Sequence, residues 1–174
     1  MHPSVEDIHE ELERARTEFA TLVHTSSPAD LRRASKGTRW SNRQLLFHLV
    51  FGYLIVLRLL PLVRFFGRRP DSYSRRFAAV LDAVTPPYHL VNYLGSVGGG
   101  ELLTRRDLVR WMDRTVAELH RRLDAEDPAD LGRSMHFPVR WDPYFSETMT
   151  LADVYHFGSQ HFQHHQRQLT LGPG

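Results

Sequence analysis

Between Phe47 and Phe66 the chain is apolar almost without a break, interrupted mainly by His48, Arg58 and Arg64. No other feature limits the fold as strongly, because a segment of this kind must be covered on most sides by other helices, a second subunit or a bilayer. Arg58, Pro61 and Arg64 fall inside it, and a simple membrane span tolerates such residues poorly. The reading is therefore a buried core helix running from Asn42 towards Phe66. Trp40-Ser41 precedes it with an apolar residue and an N-cap, and Pro61 is expected to kink or end it. Apolar surface left uncovered on this helix predicts self-association as a homodimer.

Its covering partners are legible as helical periodicity. Val5, Ile8, Leu12, Ala15, Phe19, Leu22 and Val23 recur at steps of three and four from Ser4 to about His24. Leu108, Met112, Val116, Leu119 and Leu123 do the same behind Thr104, a candidate N-cap, in a helix ending near Asp124. A last helix, capped by Thr148 or Thr150, runs through Leu169 to a Gly-Pro-Gly end. Ser26 to Arg39, with Pro28 and Gly37, reads as a connection. Gly67 to Gly100 reads as a long crossover. Within it Ser74 to Val84 is helical, Pro86-Pro87 is a break, Tyr88 to Leu94 is another short helix, and Gly98-Gly99-Gly100 is a flexible joint. Asp127 to Glu147, rich in proline and aromatics, reads as an ordered loop with a short extended piece. The fold class is all-α, and 174 residues are enough for a single domain, 1–174, with a real core.

Composition narrows the chemistry. There are no cysteines, so any metal must be held by His, Asp, Glu or water. The net charge of +2 carries little electrostatic pull. The basic balance is almost wholly arginine, with Lys36 the one lysine, and no basic strip interleaved with aromatics is present to read bases; nucleic-acid binding is not expected. The acidic N-terminus, Met1 to Glu13, has no apolar signal core, and the expected location is the cytoplasm.

What remains distinctive is eleven histidines, four of them on the last helix. At 100° per residue His161 and His165 lie about 40° apart, close enough for two imidazoles to reach one ion. They share a face with Val154, Phe157 and Gln168, which marks it as the inward side. His156 projects nearly opposite and is expected to be solvated, and His164 lies on the flank about 60° from His161. On the second helix His48 lies on the side of Gln44, Phe51, Gly52, Ile55 and Leu59, and is the natural third ligand. Taken singly, each histidine reads as a core residue with a hydrogen-bond partner. Three imidazoles buried together are costly unless something shared satisfies their nitrogens. On spacing alone both readings stay open.

Two motifs bear on the choice. Thr38-Arg39-Trp40-Ser41-Asn42-Arg43-Gln44-Leu45-Leu46-Phe47-His48-Leu49-Val50 resembles the segment of the DinB/YfiT-like superfamily in which a Trp precedes the helix bearing the first metal histidine. His161-Phe162-Gln163-His164-His165-Gln166-Arg167-Gln168-Leu169 resembles that superfamily's closing helix, where two His four apart are followed three residues later by Gln. The order of parts is also similar, including an aromatic loop such as Trp141-Asp142-Pro143-Tyr144-Phe145, whereas the crossover has no counterpart in the resemblance.

The resemblance implies a four-helix bundle with a long crossover between its second and third main helices. It also implies a divalent ion, zinc or nickel, on His48, His161 and His165. Relatives include thiol-dependent transferases that use mycothiol, bacillithiol or glutathione, so the expected function is S-transfer from such a thiol to an electrophilic small molecule. A non-catalytic metal-binding or stress-response bundle, and a metal-assisted hydrolase, are the alternatives. No catalytic acid or base is identified. His164, Arg140, Trp141 and Tyr144 are the candidates for the pocket mouth.

Overall fold

In a computed structural model, which describes residues 3–172, the chain is a bundle of helices with one small antiparallel sheet. The helices are α1 (Val5–Thr25), α2 (Pro28–Arg32), α3 (Asn42–Phe66), α4 (Asp71–Ala83), α5 (Thr85–Leu102), α6 (Arg105–Asp124) and α7 (Leu151–Gln166). Two three-residue strands, β1 (Ser134–His136) and β2 (Thr148–Thr150), pair with Met135 opposite Met149. Pro173 and Gly174, within the Gly-Pro-Gly end, and Met1 and His2 lie outside the described residues.

Four long helices form the bundle. α1 packs on α6 and α7, and α3 packs on the same two from the other side. Each helix starts where a side chain can satisfy its free N–H groups. Ser4, Ser41, Thr104 and Thr150 each accept from the backbone N–H three residues on, and the residue there caps back to form a capping box. The inward stripes are those that periodicity predicts: Ile8, Leu12, Ala15, Phe19 and Val23 on α1, and Leu108, Met112, Val116, Leu119 and Leu123 on α6, are all buried. α3 is the one helix among the described residues long and apolar enough to cross a membrane. Here it is the central element, with Leu45, Leu46, Leu49, Val50, Tyr53, Val56, Leu60 and Val63 fully enclosed. It continues past Pro61 to Phe66, so the proline does not end it.

α3 and α7 run in opposite directions, and a polar clamp fastens the end of the bundle away from His48. The buried Glu126 carboxylate accepts from the Arg64 guanidinium on α3 and, at 3.0 Å, from the Tyr155 hydroxyl on α7. Arg64 lies about 24 Å along α3 from His48 at 1.5 Å per residue. The two ends are thus specialised, one closed by an ion pair and the other carrying histidines.

The crossover differs most from expectation. Pro86 and Pro87 begin a helix rather than merely breaking one, since proline is tolerated in a first turn where no N–H partner is lost. Gly98, Gly99 and Gly100 are no joint: they belong to the last part of α5. A Cβ at Gly99 would lie 2.3 Å from the Phe47 ring, and one at Gly100 would lie 2.7 Å from the Gln44 Cα. Gly99 and Gly100 therefore let α5 press against the start of α3, and packing outweighs their poor helix propensity. α5 packs on α3, and exposed apolar residues lie on α5 itself at Leu90, Val91 and Leu94, while Phe65 stays exposed at the end of α3.

Two further segments shape the histidine end. The connection before α3 includes the short α2 and a tight turn bridged between Ala34 and Ser41, with Gly37 at φ 74°, a conformation that favours glycine. The chain after α7 is tied to this turn: the Lys36 N–H donates to the Gln168 carbonyl at 2.7 Å, and the Asn42 amide donates to Thr170 Oγ1 at 3.0 Å. These bonds hold Trp40 against the end of α7. α7 itself ends at Gln166, and Leu169 lies just beyond it; Thr148 belongs to β2, leaving Thr150 as the cap.

Candidate metal centre

His48 from the second turn of α3 and His161 and His165 from the end of α7 meet in the bundle interior. Ring centroids are 4.9 Å apart for His48 and His161, 4.6 Å for His48 and His165, and 4.5 Å for His161 and His165. One ring nitrogen from each lies within 4.8 Å of the other two. His48 and His161 are buried and His165 is half-buried.

Each ring is tethered by its Nδ1. Ser96 on α5 gives its hydroxyl proton to the Asn92 carbonyl at 2.9 Å, so its oxygen accepts from His48 Nδ1–H at 3.0 Å. Asp142 Oδ2 accepts from His161 Nδ1–H at 3.0 Å, and Gln168 Oε1 accepts from His165 Nδ1–H at 2.7 Å. Each acceptor claims the Nδ1 proton, so the neutral form of every ring carries its lone pair on Nε2. His161 Nε2 is buried and has no hydrogen-bond partner among the described residues. Beside it is a chamber of about 20 Å³ lined by His48, Gly52, Asp142 and His161, among others, room for one water-sized occupant. Lone pairs on three ring nitrogens within 4.8 Å of one another repel unless a positive centre lies between them. The donor set suits a divalent transition ion, and outer hydrogen bonds of this kind orient metal-binding imidazoles.

Gly52, one turn beyond His48, makes the space. A Cβ there would lie 2.5 Å from His161 Cδ2 and 2.9 Å from its Nε2. Trp40 covers the other side, its ring 4.5 Å from that of His48.

The electrostatics follow from burial. Desolvation, with His161 and His165 adding to it, pushes the His48 imidazole well below its ordinary 6.5. Burial and then His161 lower His165 to about 4. Burial alone would raise the Asp142 carboxyl, but the hydrogen bond and charge of His161 outweigh it and hold the group below its ordinary value. In the metal-free protein the unfolded chain takes up protons at residues 48 and 165 as pH falls through about 6.5, whereas the folded chain does so only at lower pH. Stability is therefore expected to fall as pH drops from about 6.5 towards about 4. Urea midpoints of metal-free protein at about pH 7.5 and about pH 5 test this; His48→Gln/His165→Gln should show a smaller drop than wild type, and an equal drop would refute the assignment.

Of the four residues predicted at the pocket mouth, two touch the neighbourhood of the triad. The Tyr144 hydroxyl lies 3.3 Å from His164 Nδ1, and the His164 ring is 4.8 Å from that of His165. Trp141 stacks on Tyr88 with centroids 3.8 Å apart and donates to the Leu81 carbonyl, fixing the loop to the crossover. Arg140 is exposed, its backbone N–H on Asp82. His156 does face away from the triad, but it is half-buried and paired with Glu11 on α1 at 2.8 Å rather than solvated, because α1 covers that side of α7. Sequence reading missed the roles of Asp142 and Ser96. Nothing local marks either: Asp142 lies in an irregular loop, and Ser96 on a helix whose glycines hide its periodicity.

A family model described as the DinB superfamily matches residues 11–169, which spans all of the bundle except the first turns of α1. No curated protein and no solved structure matches the chain.

Proposed function

From a chain that belongs to the DinB superfamily, we propose a divalent-metal-dependent enzyme in which His48, His161 and His165 hold zinc or nickel. The reaction we propose is transfer of a low-molecular-weight thiol, such as mycothiol, bacillithiol or glutathione, to an electrophilic small molecule. The observation that carries the metal reading is the common tethering of the three rings through Nδ1, which leaves Nε2 as the free nitrogen of each, with one ring nitrogen from each within 4.8 Å of the others and His161 Nε2 buried without a partner among the described residues. An ion bound by neutral donors alone keeps its full charge and lowers the pKa of a thiol or water beside it, which supplies a nucleophile near neutral pH.

The protein's own part is to place and dry the site. Ser96, Asp142 and Gln168 fix the ring orientations. Phe145 and Phe157 are buried and give the inner chamber an apolar side. His165 faces a wider cavity of about 380 Å³ that opens to solvent and leaves room for reactants.

The test is consumption of 1-chloro-2,4-dinitrobenzene by zinc- or nickel-loaded protein, purified without an affinity tag, in the presence of each thiol in turn. Thiol-dependent consumption reduced at least about a hundredfold in His48→Ala, on the scale of a lost metal-activated nucleophile, is the expected result. Consumption that ignores thiol would identify a hydrolase. No consumption above the uncatalysed rate with any of the three thiols would leave a metal-binding bundle without this activity.

A further inference from the structure

The cavity beside His165 is chemically one-sided. Its walls include Thr38, Arg39 and Trp40 from the Gly37 turn, and His89, Asn92 and Tyr93 from α5. Among its lining residues there is no carboxylate. Arg39 is exposed and has no ion-pair partner among the described residues; its guanidinium carbon sits 4.7 Å from the centre of the Tyr93 ring. That leaves a permanent positive charge at the rim with its hydrogen-bond donors unclaimed among the described residues.

The inner wall carries two aromatic side chains. Trp40 and Tyr93 are nearly parallel, at 17°, with centroids 6.2 Å apart, and the Trp40 indole N–H reaches towards the Tyr93 carbonyl at 3.5 Å. The Trp40 ring lies 6.3 Å from that of His165, so a molecule resting on this wall has one end at Arg39 and the other at the histidines. Asn92 lines both this cavity and the small chamber behind the triad.

We propose that this cavity binds the substrate as an organic carboxylate with a flat, unsaturated body: the charge pairs with Arg39, and the body lies along Trp40 and Tyr93 with its far end at His165. The assignment rests on the reading of the triad as the reaction centre for the identity of the ligand as substrate, but carboxylate binding itself does not need the metal. The pairing is charge-assisted and suited to a planar carboxylate, which guanidinium can hold through two parallel hydrogen bonds. Neutral molecules of the same shape gain only the aromatic contact.

The experiment is calorimetric titration with 2-naphthoate, and with 2-naphthamide as its uncharged counterpart, on metal-free and zinc-loaded protein. Wild type should bind naphthoate better than the amide in both forms, and Arg39→Gln should weaken naphthoate about tenfold or more while leaving the amide unchanged. Arg39 is on the surface, so the variant should fold; its circular dichroism and urea midpoint check that. Naphthoate binding that appears only with zinc and ignores Arg39 would place the carboxylate on the ion and overturn the proposal, as would equal affinity for acid and amide. Failure of thiol transfer or of metal uptake would leave this readout intact, so the two readings fail separately.

Discussion

Replacing His161 and His165 together by alanine is expected to abolish uptake of zinc and nickel, and His48→Ala alone to do nearly the same. Wild-type protein purified without a tag should hold or take up about one equivalent, as a site with three protein ligands and an open position requires. The reason lies in the tethers: the three Nδ1 atoms are engaged by Ser96, Asp142 and Gln168, so each ring has a single nitrogen to offer. Loss of one leaves two donors, too few for tight binding. Thermal unfolding gives an independent reading. A ligand at a hundred times its Kd stabilises the folded state by about 2.7 kcal/mol, which for a chain of this length corresponds to a rise in Tm of about 5–10 °C. That rise should be present in wild type and absent in both variants. A metal-free wild type that takes up neither ion and shows no rise would sink the metal reading.

Gly52→Ala should separate the site from the fold. The added methyl would meet the His161 ring at 2.5 Å, and that ring has little freedom because Asp142 holds its other edge. Within α3 the substitution improves helix propensity by about 1 kcal/mol, so global stability should change little. Affinity for zinc should nevertheless fall about 10–100-fold, the scale found when the outer support of a metal ligand is disturbed. Competitive titration with a chelator of known affinity, read beside the urea midpoint, measures both. Unchanged affinity would show that the His161 ring can shift without losing the site.

Both variants act on residues that the sequence brings forward to different degrees. His48, His161 and His165 are legible because helical geometry alone places the two last histidines on one inward face and His48 on an apolar one. Gly52 appears in the same reading only as a neighbour of His48 on that face. Its function depends on the distance between α3 and α7, which no periodicity encodes. The same division runs through the outer partners. Gln168 is visible as the third residue after His165, whereas Asp142 and Ser96 reach their histidines across 19 and 48 positions of chain.

The crossover shows the same limit from the side of the fold. Gly98, Gly99 and Gly100 read locally as a joint because isolated glycine disfavours helix. All three are helical; at Gly99 and Gly100 the Phe47 ring and Gln44 leave no room for a side chain, and close packing there compensates for the entropy that glycine loses. β1 and β2 are too short to announce themselves by alternation, and they exist through their pairing across the aromatic loop.

The helical class, the four bundle helices with most of their ends, and the three histidines are thus all legible in the local pattern of the chain. Those properties rest on interactions between residues three or four apart and on caps within the same turn. Long-range packing sets the rest: which atoms tether the rings, why Gly52 lacks a side chain, how α5 closes over α3, and that Arg39, Trp40 and Tyr93 line a cavity beside His165. Each of these depends on segments distant in the chain reaching a definite separation, and that separation is set by how the whole core packs.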